Sequence, residues 1–199
     1  LWMTGNGESA FRLFKGALLD SMYLGLCPGN VGMTTWYDAN RRESQRDFGD
    51  GIGALSRAVM EGLFGITPDL LDGELRIRPG FPPEWDRAAI HHPSFDVSFN
   101  RNGETERFKV SSRFRKPVAA RLMVAALRDD VVSVTANGVP VEWSLVENSV
   151  ATPRLAILTP AAHEQEIVIQ WKGTKPAAPP DEIQVKSGAG FTIDAGAAI

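Results

Sequence analysis

The chain has 199 residues, 43% of them hydrophobic, with a formal net charge of -3. That length can bury a core as one domain or two small ones. The mild acidity leaves no footprint for nucleic acid or an anionic membrane surface, and the longest apolar runs fall far short of the ~20 residues a membrane helix needs. Cys27 stands alone, which excludes an internal disulfide.

The chain opens LWMTGNGES, without a Met at position 1. We read it as a piece of a longer polypeptide: exported to a periplasmic or extracellular space where the preceding part carries a signal, cytoplasmic otherwise. Asn6-Gly7-Glu8-Ser9 is a turn with helix-starting residues, and Phe11, Phe14, Leu18 and Met22 follow at steps of three and four. That spacing predicts an amphipathic helix ending near Leu24-Gly25. A polar connection from Val31 to Asp50 comes next, longer than the ~2–8 residues usual between helices, and long loops are often functional. Ile52, Leu55, Val59, Leu63 and Ile66 then predict a second helix over about Gly51 to Gly65.

Pro68 cannot continue that helix, and Asp72-Gly73 supplies a turn. Leu75 and Ile77 alternate with Glu74, Arg76 and Arg78, the two-residue period of a half-buried strand. Further strands are expected around Phe95, Val97 and Phe99, and around Phe108, Val110 and Ser112 beyond the Asn102-Gly103 turn. Ala120–Leu127 is apolar enough for a strand buried on both sides. Val132–Ala136 and Val139–Trp143 flank Asn137-Gly138, a strong hairpin signal. Leu155–Leu158 and Ile167–Trp171 complete about eight strands, which favours an antiparallel β-sandwich. After Gly173, TKPAAPPDE reads as an extended linker. Ile183, Val185, Phe191 and Ile193 form either one last hairpin or the start of a further domain.

Glu61-Gly62-Leu63-Phe64-Gly65-Ile66-x-Pro68-Asp69, then Asp72-Gly73-x-Leu75-x-Ile77-x-Pro79, then Phe81-Pro82-Pro83-x-Trp85 resembles the junction at which the catalytic α/α toroid of α-L-rhamnosidase-like glycoside hydrolases runs into a C-terminal β-sandwich. Related uncharacterised bacterial proteins and disaccharide phosphorylases share a similar junction. The resemblance spans about residues 5 to 172. It implies an α+β architecture: the last helical hairpin of an α/α toroid in 1–72, an antiparallel β-sandwich in 73–173, and a Pro/Ala linker and tail in 174–199.

It also implies an activity, hydrolysis of glycosidic bonds with inversion. Inverting glycosidases need one carboxyl to protonate the leaving oxygen and another to deprotonate water. In the resembling enzymes a late loop reads G-A-T-T-x-W-E, and its Glu is the base. Here Gly32, Met33, Thr34, Thr35, Trp36, Tyr37 and Asp38 match, with the shorter Asp38 in place of Glu and Tyr37 before it. A His of those enzymes falls at Asp47. The resemblance thus points to Asp38 as base with Glu43 as the backup carboxylate, Trp36 and Tyr37 stacking on a sugar ring, and Arg42 and Asp47 as further substrate contacts. The partner acid is expected in a preceding part of the enzyme. The alternative is structural: Asp38 caps a turn, Trp36 packs on the helices, and Arg41, Arg42, Glu43, Arg46 and Asp47 form a surface charge network.

Other constellations are weaker. His91 and His92 are adjacent, so on a strand they face opposite sides and do not share a metal. No nucleophile elbow is present, and Gly49-x-Gly51-x-Gly53 does not complete a dinucleotide fingerprint. No metal or cofactor is expected. Trp85, Trp143 and Trp171 are read as core or edge packing. The expected partners are a carbohydrate substrate and, to cover the helices, a preceding helical part of the same enzyme or another copy of the chain. The competing readings are a non-catalytic β-sandwich that supports or binds glycans, and a phosphorylase.

Overall fold

The computed structural model describes residues 1–2, 6–19, 37–38, 43–44, 49–147, 149, 152–176 and 188, in two compact units, Leu1–Trp85 and Asp86–Ile199. In the first unit, helix α1 spans Gly7–Leu19. Its amino end is capped by the Asn6 side-chain oxygen, which accepts from the Ser9 N–H at 3.2 Å. Strands β1 (Tyr37–Asp38) and β2 (Glu43–Ser44) form a two-residue antiparallel ladder. Helix α2 (Gly49–Arg57) widens into a π-helical turn at Ala58–Leu63, closed by the Phe64 N–H donating to the Val59 carbonyl at 3.0 Å.

At Gly65 the chain turns with φ 65° and enters β3 (Ile66–Asp69), which pairs antiparallel with β4 (Glu74–Ile77). The Arg78 N–H returns to the Gly65 carbonyl at 2.9 Å, and the Gly80 N–H to the Leu63 carbonyl at 3.0 Å. A Cβ at Gly65 would collide with the Arg78 carbonyl. The Trp2 indole lies against Gly62 and Gly80 so closely that a Cβ at either would overlap the ring, and its Nε1–H donates to the Gly80 oxygen at 3.1 Å. Aromatic contacts extend from there: Trp2 to Phe14 at 5.9 Å, Phe11 to Trp85 at 5.0 Å, Trp85 to Phe81 at 6.1 Å and Phe81 to Phe64 at 5.2 Å.

The second unit is built from β5 (Arg87–His92), β6 (Phe95–Asn102), β7 (Thr105–Ser112), β8 (Ala119–Ala125), β9 (Asp130–Ala136), β10 (Val139–Pro140), β11 (Trp143–Leu145), β12 (Arg154–Leu158) and β13 (Glu164–Lys172). Six strands form an antiparallel sheet in the order β10-β9-β13-β7-β6-β5, and β11-β12-β8 lie in another. Period-two burial marks both: Phe95, Val97 and Phe99 on β6, Ile167, Ile169 and Trp171 on β13, Ala120, Leu122 and Val124 on β8. Asn137 and Gly138 both have positive φ, 51° and 78°, as a two-residue hairpin turn requires.

Three expectations need correction. The α+β reading with the last hairpin of an α/α toroid does not hold: the described residues are β-rich, and their helix is confined to α1, α2 and the π turn. The apolar stripe of α1 does not seat as a toroid helix would, since only Ala10 is buried along it. Second, the helical spacing that ran on to Ile66 is overridden by strand pairing. Ile66 faces Ile77 across the β3–β4 ladder, and Pro68 sits in that edge strand opposite Leu75, a place where its missing N–H is tolerated. Third, β8 is not buried on both sides, because Arg121 and Met123 alternate with its buried residues and are only half-covered.

One buried carboxylate lies inside the second unit. Glu106 is 3% exposed and accepts from the Trp171 Nε1–H at 3.0 Å and from Arg101 at 2.9 and 3.0 Å. Burial outweighs these donors and pushes its pKa above the ordinary 4.5. A raised carboxyl pKa means the fold binds this proton more tightly than the unfolded chain does. Its contribution to stability is therefore fully present below pH 4.5 and is lost as pH climbs through the raised value. Chemical denaturation at a series of pH values should show wild type losing stability above pH 4.5 relative to Glu106→Gln. Glu106→Ala should cost about 3 kcal/mol below pH 4.5, by stripping Trp171 and Arg101 of a buried acceptor, and less at higher pH. In the first unit, Gly65→Ala should lower stability by more than about 2 kcal/mol, from the positive φ and the Arg78 clash together.

Candidate functional site

The expected sugar site falls on the segment that precedes α2. Trp36, Arg42 and Asp47 lie outside the described residues. For Tyr37, Asp38 and Glu43 the backbone is described, and it brings them together. In the β1–β2 ladder Asp38 is the partner of Glu43, and Tyr37 is the partner of Ser44. The two candidate carboxylates are thus directly opposed register positions, not merely neighbours in a polar loop. Opposed residues in an antiparallel pair carry Cβ atoms about 4.5–5.5 Å apart.

The first unit also contains a groove of about 330 Å³ between α1 and α2, lined by Trp2, Leu13, Phe14, Leu55 and other apolar residues. Among the described residues no titratable side chain lines it.

The outer face of the six-stranded sheet carries a row of polar residues at one end. Across β5, β6, β7 and β13 the register aligns His91 with Asp96, Asp96 with Ser111, and Ser111 with Glu164. The His91 Nδ1 lies 3.1 Å from the Asp96 Oδ1, and the Ser111 hydroxyl donates to the Glu164 Oε1 at 2.5 Å. Arg113 reaches back along this face. It grips Asp96 with two nitrogens at 2.6 and 3.1 Å and donates to the backbone carbonyls of His92 and Pro93. The guanidinium hydrogen bond, aided by His91, holds the Asp96 carboxyl down at about 2. Two strands along, Arg107 lowers Glu166 in the same way. Ser111 gives its proton to Glu164 and not to a histidine, so this row is no nucleophilic triad.

His91 and His92 do face opposite sides, since His92 stacks on Phe95 at 4.7 Å while His91 meets Asp96. Among the described residues no three His, Cys, Asp or Glu side chains gather as a metal site would require. Of the tryptophans read as core or edge packing, Trp171 is 1% exposed, Trp85 is half-buried among Phe11 and Phe81, and Trp143 stands 42% exposed at a sheet edge.

No family model and no curated protein matches this chain. One solved structure similar to it is the glycoside hydrolase family 30 subfamily 8 xylanase of Clostridium acetobutylicum, at 12% identity and a TM-score of 0.28. The alignment covers 84% of this chain, and the chain spans 40% of the length of that xylanase. The likeness is loose in both sequence and geometry.

Sequence reasoning passed over the Asp96–Arg113 clamp. A turn at Asn102-Gly103 would set Asp96 opposite Lys109. The hairpin instead closes at Gly103-Glu104 with Asn102 paired to Thr105, which sets Asp96 opposite Ser111, two residues short of Arg113 on the same face. An NMR titration should find the Asp96 carboxyl near 2 in wild type. In Arg113→Ala it should climb back toward the ordinary aspartate range, and an unmoved value would show that the guanidinium is not the cause.

Proposed function

We propose that this chain is part of an enzyme that hydrolyses glycosidic bonds, with Asp38 as the base that activates water. The observation that carries this reading is the β1–β2 register, which sets Glu43 directly across from Asp38. Two carboxyl-bearing residues at partnered positions place a supporting carboxylate beside the one that takes the proton from water. Tyr37, adjacent to the base, stacks on the pyranose ring together with Trp36, while Arg42 and Asp47 take sugar hydroxyls.

An inverting enzyme also needs an acid across the scissile bond, with about 6.5–9.5 Å between the two carboxyls. In this reading the proton donor to the leaving group comes from elsewhere: a preceding part of the same polypeptide or a second copy of the chain. With the acid across the sugar and water on the Asp38 side, displacement inverts the anomeric carbon. The junction motif from Glu61 to Trp85 and its likeness to rhamnosidase-like enzymes make an α-L-rhamnoside the substrate to try first.

The test is turnover of a panel of chromogenic aryl glycosides, α-L-rhamnoside included, with the anomer of the first product read by NMR. Asp38→Asn should lower kcat by ~10²–10⁴-fold with KM little changed. Glu43→Gln should keep most of kcat, as a supporting carboxylate and not the base. Unchanged kcat in Asp38→Asn would make this stretch a support and not a site. A retained anomer would reassign the close pair to nucleophile and acid.

A further inference from the structure

The core of the second unit is open along one side. β10 is the last strand of the six-stranded sheet and β11 the last strand of the other, and only Val141 and Glu142 separate them in sequence. The two free edges therefore lie along the same flank. Cross-strand partners share a sheet face, so the register tells which way the edge residues belong. Val139 is the partner of Ala136, which in turn faces the fully buried Ile167. Trp143 is the partner of Ile157 and Leu145 of Leu155, both buried. All three edge residues thus sit at core-facing positions, yet Val139 is 63%, Trp143 42% and Leu145 39% exposed. Solvated core positions of this size ask for a cover.

The neighbouring backbone is open as well. On the β10 side, β9 is paired only at Thr135 and Ala136, with one further bond from the Val141 N–H to the Val134 carbonyl. Asp130 to Ser133 have no ladder partner on that side among the described residues. Val132 is the extra residue where the β9–β13 register shifts, and it is 60% exposed.

We propose that the carboxy-terminal segment from Glu182 to Asp194 occupies this flank, adding strand backbone beside β9 and laying Ile183 and Val185 over Val139 and Trp143. Three observations select this segment over other occupants. The chain leaves β13 at the right place, because Lys172 is the partner of Asp130, at the unpaired end of β9. It is also latched there: Asp129 accepts from the Thr174 N–H at 2.8 Å and from its hydroxyl at 2.7 Å, and returns its own N–H to the Thr174 carbonyl. From that latch to Ile183 the KPAAPP linker, at ~3.1 Å per residue, spans more than the two strand spacings, ~10 Å, to the edge.

The segment also has the chemistry of a half-buried strand. In Glu182-Ile183-Gln184-Val185-Lys186 apolar and charged or polar residues alternate strictly, and Phe191-Thr192-Ile193-Asp194 repeats the pattern. Between them Gly188 has a φ of 80°, the conformation a hairpin turn uses. The flank offers apolar side chains and unpaired backbone, and the segment supplies both in the matching period.

The full-length chain is the test object. In a Cys27→Ser background, Val139→Cys with Val185→Cys should form an intramolecular disulfide under mild oxidation, leaving a monomer on non-reducing gels. Ile183→Asp with Val185→Asp should lower Tm by about 5 °C and red-shift the emission that disappears in Trp143→Phe. Gln184→Asp, at an outward position of the strand, should do neither. A disulfide-linked dimer, or Trp143 emission that moves with protein concentration, would assign the flank to a second copy and overturn the proposal. Unchanged Tm and Trp143 emission in the double Asp variant, with no crosslink, would overturn it too.

Discussion

Strand β13 has to bury Gln165, Ile167, Ile169 and Trp171 on one face, and two of those four carry polar groups that cannot be left without partners. The second unit is arranged to satisfy them at opposite ends of the strand. At one end the Gln165 amide donates to the Val118 and Ala162 carbonyls, and its oxygen takes the Thr159 hydroxyl. Thr159 in turn accepts from the Ala120 N–H at 2.9 Å, which ties the start of β8 to the start of β13. At the other end the Trp171 indole finds Glu106. Between these closures the core is hydrocarbon. Unmet polar groups in such a place would each cost about 1–3 kcal/mol, so the polar ends specify the register that the apolar middle only favours.

How much of this was legible in the sequence depends on the range of the forces involved. Turns and alternation are local, so Asn137-Gly138 and the outward–inward rhythm of β6, β7 and β13 could be read from neighbouring residues, while the turn expected at Asn102-Gly103 falls one residue later, at Gly103-Glu104. Pro68 shows the limit. Its local chemistry says where a helix must stop, and nothing about a strand beginning two residues earlier, because β3 exists only through its pairing with β4. The stretch from Val139 to Trp143 misled for a similar reason. One apolar run conceals a passage from one sheet to another at Val141-Glu142, which no periodicity reports. The toroid expectation, implied by likeness of the Glu61–Trp85 junction, failed because a local motif fixes a turn and a strand start and not the helices before them. Spacing gives a face; it does not give what lies against it.

The candidate site had the opposite history. Asp38 and Glu43 were selected by likeness and by residue type, and five residues apart in a polar connection they have no evident reason to act together. A two-residue ladder supplies the reason by making them register partners. The substrate contacts proposed around them rest on residue chemistry, aromatic for the ring and charged for its hydroxyls. Glu106 is the counterexample within the same chain. Its carboxyl is buried and its pKa raised, the signature often sought for catalysis, yet its donors Arg101 and Trp171 are core-packing partners and it is closed off from solvent.

The Trp2 side chain leaves no room for a methyl group on either Gly62 or Gly80, and it binds the carbonyl of the second. These three positions therefore behave as one volume shared between an aromatic ring and two bare backbones. Enlarging either glycine is harmful while the indole is there, and becomes tolerable once residue 2 is small. Shrinking residue 2 alone leaves a void and a carbonyl in need of a donor. Among related chains the three should change together or not at all, so a tryptophan near the start, paired with glycines some 60 and 78 residues on, is a spacing by which this unit can be recognised where overall identity has faded.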